Sequence, residues 1–174
     1  HKTHLDKYQI FRENIKKKNY PAFAKYCADV AEHFIGEGIP VKYISPVNEP
    51  FWVWNGGQEG CHYRPSSCRK VLRAFVKELD GRKTLDGVRL SGCENGDIRW
   101  FNKSYSRAVL GDPLVRTRLG ALDIHSYCLH MPIPFFNNRM SFLKRFAKWM
   151  SKNYPDVPVN MSEWTHMQGG RDKG

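Results

Sequence analysis

The chain has 174 residues, enough for a domain with a real core, and 41% hydrophobic with 26% charged residues excludes a disordered segment. No run approaches the roughly 18 apolar residues of a membrane helix, so no membrane span is expected. The net charge of +11 raises a nucleic-acid partner. Yet beyond Lys16–Lys18 the basic residues spread over predicted helix faces, with no zinc-finger, RNA-binding or helix-turn-helix pattern beside them; no nucleic acid is expected.

Apolar residues recur at helical spacing from Ala22 to Ile35, through Phe23, Tyr26, Cys27, Val30, Ala31 and Phe34, until Gly36 and Gly38 stop them. A strand is expected over 41–47. It ends abruptly in Asn48-Glu49-Pro50, with Trp52 and Trp54 close behind. The next helix, capped by Ser66 or Ser67, carries Val71, Leu72, Phe75, Val76 and Leu79 on one face and ends at Gly81. A second strand covers Val88–Ser91, followed by a less regular helical stretch over 98–110. A third strand covers Leu122–Ser126. The helix over 137–154 has Phe142, Leu143, Phe146, Trp149 and Met150 on one side, and a fourth strand covers Val157–Ser162.

Strands alternating with helices imply crossovers and a parallel α/β sheet. No helix opens with a GxGxxG or Walker A sequence, so a nucleotide fold lacks its marker. The strands end instead in Asn48-Glu49, Glu94-Asn95, His125-Ser126-Tyr127 and Ser162-Glu163-Trp164. Polar groups gathered at the C-terminal ends of parallel strands mark the catalytic face of a (β/α)8 TIM barrel. Four strands are half of one and would leave two open edges. The chain, which opens at His1 without methionine, is therefore expected to be a piece of a longer barrel and to be unstable and inactive alone. The five cysteines form no CxxC pair; Cys61 and Cys68 flank one turn and can pair, and no zinc spacing is present. No metal or other cofactor is expected.

Glu49 and Glu163 each end an apolar strand beside aromatics. Glycoside hydrolysis needs such a pair, one carboxyl protonated for the leaving oxygen and one ionised to meet the anomeric carbon. Trp52, Trp54, Tyr63 and Trp164 offer flat apolar faces to sugar rings, and Asn48 offers an amide to a hydroxyl. The bland alternative makes these glutamates solvated loop residues and the tryptophans loop core. Asn102-Lys103-Ser104 and Asn160-Met161-Ser162 fit the glycosylation pattern; Asn160, inside a predicted strand, is expected to stay unmodified.

The segments "YISPVNEP", "QEGC" with a following tyrosine, "LDIHSY" and "SEW" together resemble glycoside hydrolase family 30, in particular its endo-β-1,6-galactanase-like branch. The resemblance implies a barrel with a side β-sandwich, of which residues 1–174 would carry about strands four to seven. It implies retaining hydrolysis of a β-linked polysaccharide or oligosaccharide by a secreted enzyme. By motif, Glu49 is the acid/base and Glu163 the nucleophile. Asn48, Trp52, Trp54, His125, Tyr127 and Trp164 bind substrate, and Glu59 fixes its loop. The same chemistry on another glycan, as in a xylanase or glucosylceramidase-like enzyme, and a non-catalytic carbohydrate-binding fragment are the alternatives.

Overall fold

The computed structural model describes residues 13–52, 61–97, 100–126, 139–164, 167–168 and 171–172. Helix α1 spans Tyr20–Gly36, strand β1 Tyr43–Ile44, α2 Pro65–Asp80, β2 Arg89–Ser91, α3 Trp100–Leu110, α4 Pro113–Arg118, β3 Leu119–His125, α5 Arg139–Asn153 and β4 Val159–Glu163. Two short strands, β5 (Met167–Gln168) and β6 (Arg171–Asp172), pair with each other in antiparallel fashion. The first four strands form one sheet in the order β1-β2-β3-β4, all parallel, the α/β arrangement that the alternation of elements implies.

β1 is far shorter than the apolar run over 41–47. It is an outer strand, and Pro46, which lacks an N–H, ends its pairing. α2 begins at Pro65 with Arg64 as its N-cap and no side-chain cap, so neither Ser66 nor Ser67 plays that part; proline at the first turn needs no hydrogen-bonded N–H. α4 is an element the apolar periodicity does not announce. Asp112 caps it, accepting from Leu114 N at 3.1 Å and Val115 N at 3.3 Å, with Pro113 following.

The larger core lies between α1 and α2 and behind β2. Tyr20, Ala24, Ala28 and Ala31 are the buried residues of α1. The small side chains of the three alanines let α2 close in with Val71, Leu72 and Phe75, and Phe75 meets Phe23 edge-on at 5.3 Å. Tyr26, Val30 and Phe34, expected on the buried stripe, are exposed as a result. A smaller core packs Leu122 and Ile124 of β3 against Phe146 and Met150 of α5. Cys61 and Cys68 are both free thiols, so the turn they flank carries no disulfide; Cys68 contacts Cys93 instead.

The N-terminal end of the sheet is tied by the buried Arg118. Its guanidinium pairs with Asp80 at 2.6 Å and donates to the carbonyls of Asp86 at 2.8 Å and Leu85 at 3.2 Å. Arg82 likewise joins α1 to α2 through Asp29 at 2.8 Å, Glu32 at 2.5 Å and Glu78 at 2.5 Å.

Truncating Phe75, which is fully buried, to alanine should cost about 3–5 kcal/mol, read as a lowered urea midpoint of the complete protein carrying this chain.

Candidate active site

β3 is an inner strand, flanked by β2 and β4, and its last residue is His125. The parallel register runs evenly to Ile124 opposite Met161, then shifts so that His125 lies opposite Glu163. Such an irregularity re-aims the side chains beyond it. On the other side, β2 ends at Ser91 and pairing resumes only at Asn95, whose carbonyl accepts from His125 N at 3.0 Å. Glu94 lies in that gap.

His125 is fully buried, and its ring nitrogens meet carboxylates from three strand ends. Nδ1 lies 2.9 Å from Glu49 Oε1 and 3.5 Å from Glu163 Oε2; Nε2 lies 3.1 Å from Glu94 Oε2. Burial alone would lower its pKa. Hydrogen bonds to Glu49 and Glu94, with the charge of Glu163, outweigh that and push it up to about 9. Burial likewise works against the Glu94 carboxylate. Hydrogen bonds from His125, Ser162 and Ser45 overcome it and hold Glu94 below the usual carboxylate range. Asp123, two residues before His125 on the same strand face, is pushed up to about 6, first by burial and then by the charge of Glu94. It accepts from Asn160 at 3.0 Å and from Ser91.

Two of these glutamates have unusual backbones. Glu49 has φ +46° and Glu94 φ +44°, and Glu49 N donates to Glu94 O at 2.8 Å. A left-handed residue other than glycine costs of order 1–3 kcal/mol, which the surroundings must over-determine. Gly96 supplies the space. A Cβ there would fall 2.3 Å from Glu49 Oε1 and 2.7 Å from Trp52 Nε1.

Glu49, Glu163 and His125 are thus brought together. Trp52 is half-buried beside them, its N–H donating to Glu49 O at 3.1 Å and its ring against Phe51 at 4.9 Å. Asn48 is exposed, and Trp164 beyond β4 is 67% exposed. Trp54, Glu59 and Tyr127 lie outside the described residues. Tyr63 is not at the surface offered to a sugar. It is fully buried, packs edge-on against Tyr20 at 6.1 Å, and its carbonyl accepts from Tyr105 Oη at 2.6 Å.

The sequence names Glu94 and Ser162 only as strand-end residues without a role, and Asp123 and Ser45 not at all. A period of two was the available signal. Asp123 and His125 alternate on one face of β3, as Asn160 and Ser162 do on β4. Among the described residues, Glu49, His125 and Glu163 present one ligating atom each within 4.8 Å of one another.

The parallel α/β sheet gathers these carboxylates around one imidazole at the C-terminal ends of its strands, the face on which a (β/α)8 barrel carries its site. Residues 3–110 match O-Glycosyl hydrolase family 30, and the chain belongs to that family. It is 31% identical over 106 residues to an endo-beta-1,6-galactanase of Hypocrea rufa, a match covering 56% of this chain and 22% of that enzyme. Its fold is similar to a conserved exported protein from Bacteroides fragilis, with TM-score 0.77, 19% identity, and 95% of this chain and 36% of the other covered. It is also similar to Xyn30A, the glycoside hydrolase family 30 subfamily 8 xylanase from Clostridium acetobutylicum, with TM-score 0.55, 18% identity, and 86% and 41% covered. The chain thus spans well under half of each of these relatives.

In the complete protein, the imidazole of His125 should titrate near pH 9 by nitrogen NMR. Because that value lies above the ordinary 6.5 or so of an unfolded histidine, its stabilisation is fully present below about pH 6.5 and is lost as pH rises through 9. Gly96→Ala should push Glu49 away from the ring and bring the His125 midpoint down, in the same titration.

Proposed function

We propose that the protein is a retaining glycoside hydrolase that cleaves β-linked galactan in the manner of an endo-β-1,6-galactanase. One observation carries the mechanism: ligating oxygens of Glu49 and Glu163 lie within 4.8 Å of each other. Double displacement calls for carboxyl groups about 5–5.5 Å apart, whereas inversion leaves about 6.5–9.5 Å for an intervening water.

In the first step Glu163 attacks the anomeric carbon while Glu49 gives its proton to the glycosidic oxygen. The carbon–oxygen bond breaks, the shortened glycan leaves, and a glycosyl ester forms on Glu163. In the second step Glu49, now a carboxylate, takes a proton from water. The water oxygen bonds to the anomeric carbon and Glu163 departs ionised. Glu49, buried and held against His125, suits the residue whose proton must be placed. Glu163, half exposed at the end of β4, suits the one that must reach the sugar. Trp52, Trp54 and Trp164 would stack on sugar faces, and Asn48 and Tyr127 would hydrogen-bond hydroxyls beside the cleavage point. The two carboxylates and water balance the reaction without a cofactor.

The galactan reading draws on the 31% identical relative. A polymeric plant-type glycan also implies work outside the cell. Residues 1–174 would supply strands four to seven of a (β/α)8 barrel, the other strands and a side β-sandwich lying elsewhere in the protein. Exposed apolar side chains on both outer strands support this: Tyr43 on β1, and Val159 and Met161 on β4. A closed barrel leaves no such edge.

In the complete protein, Glu163→Gln should abolish turnover of every glycoside. Glu49→Ala should lose turnover of unactivated glycosides by about 10²–10⁴-fold, the usual worth of a general acid. It should keep the first step on dinitrophenyl glycosides and regain turnover with azide. Proton NMR during hydrolysis of β-1,6-galactan should show the β-anomer first; an α-anomer from the outset means inversion and overturns the scheme. Faster turnover of xylan or a glucosylceramide than of galactan would assign the same chemistry to another glycan.

A further inference from the structure

The two-step scheme leaves a third carboxylate, Glu94, without a task. Its surroundings are built. Ser45 Oγ donates to its Oε1 at 2.8 Å, Ser162 Oγ donates to its Oε2, and its backbone carbonyl takes the N–H of Glu49 at 2.8 Å. So fixed, Oε2 stands 3.1 Å from His125 Nε2, while the opposite ring nitrogen stands 2.9 Å from Glu49 Oε1. One rigid imidazole therefore links Glu94 to the acid/base residue.

We propose that Glu94 is a positioning residue that acts through His125: its carboxylate holds the Nε2–H, the Nδ1–H is thereby committed to Oε1 of Glu49, and the proton Glu49 delivers to the leaving group sits on Oε2. The inference rests on the reading of Glu49 as acid/base. Its chemistry follows from the two oxygens of a carboxyl. An oxygen that accepts Nδ1–H has no room for a proton of its own along that line, so the neutral acid is protonated on the other. Without the charge of Glu94 the ring keeps one proton, on Nε2, and Nδ1 becomes an acceptor. The proton of Glu49 then moves to Oε1, bonded to the ring and turned from the glycosidic oxygen.

Among the described residues, the titratable groups paired with His125 at 2.9, 3.1 and 3.5 Å act in this sense. Glu49 comes from the segment after β1, Glu94 from the segment after β2, and Glu163 from β4. On β3 itself Asp123 contacts Glu94. Each is a carboxyl group, so each of these contacts favours the ring's second proton. Glu94 is the partner that faces Nε2 and takes no part in bond making.

The experiment is Glu94→Gln in the complete protein, which keeps a carbonyl acceptor for Nε2–H and removes the charge. In the wild type, nitrogen NMR at neutral pH should show both ring nitrogens of His125 protonated; in the variant only Nε2. For glycosides with poor leaving groups, kcat/KM should fall between about tenfold and a hundredfold, within what general acid catalysis supplies. The basic limb of its pH profile should move to lower pH. For a dinitrophenyl glycoside, which needs no proton for its first step, kcat/KM should hold. Glu94→Asp should recover part of the loss. Ser45→Ala, which loosens Glu94 without changing its charge, should give a smaller shift in the same direction even if Glu94→Gln does not fold. A doubly protonated His125 in Glu94→Gln overturns the proposal, as does an equal loss on both kinds of leaving group. The acid/base reading fails separately: Glu49→Gln would then retain turnover of poor-leaving-group glycosides, whatever the ring shows.

Discussion

The arrangement turns on one buried cation among carboxylates. Like charges about 4–5 Å apart repel by roughly 3–4 kcal/mol even in a medium of effective dielectric 20, and burial adds to the cost of each. If all three were ionised, Glu49, Glu94 and Glu163 could not share a pocket on those terms alone. The imidazolium of His125, at 2.9, 3.1 and 3.5 Å from them, makes the gathering tolerable. Two local departures from regular strand pairing serve that contact. The register shift after Ile124 sets Glu163 beside the ring, and the gap in β2 sets Glu94 beside it.

The two ends of the sheet are held by cations of different kinds. At the N-terminal end Arg118 ties α2 and the approach to β2 with a charge that no accessible pH removes. At the C-terminal end the charge belongs to a histidine, which can titrate. The cation of the scaffold end thus keeps its charge throughout, while that of the reacting end can lose it. The same four strands carry both.

Much of this was legible in the residues. Apolar periodicity located four main helices and four strands, and the strand ends of Glu49 and Glu163 stood out because a carboxylate after an apolar run has few structural reasons to be there. The misses have physical causes. α4 rests on a cap, Asp112 followed by Pro113, rather than on periodicity. Tyr26, Val30 and Phe34 read as core because periodicity measures hydrophobicity, whereas the closest helix contact was set by the smaller Ala24, Ala28 and Ala31. Tyr63 looked like a sugar platform because a sequence does not tell an aromatic facing in from one facing out. The roles of Glu94, seen only as a strand end, and of Asp123, marked only by alternation with His125, escaped for another reason. Their importance lies in what they touch across strands, 31 residues from Glu94 to His125 and 37 from Asp123 to Asn160, and no local pattern reports such a pairing.

The left-handed backbones of Glu49 and Glu94 set selection for stability against selection for chemistry. Glycine adopts that conformation freely and asparagine more readily than glutamate, while glutamate is held there at a cost of about 1–2 kcal/mol. Either replacement would relax the chain and remove a carboxylate from His125. A lineage freed from the need to cut its substrate would gain stability by drifting toward glycine at both positions, since marginal proteins accumulate such changes readily once function stops opposing them. This chain keeps glutamate at both, the less comfortable residue twice over, at two of the three places where a carboxylate faces the ring.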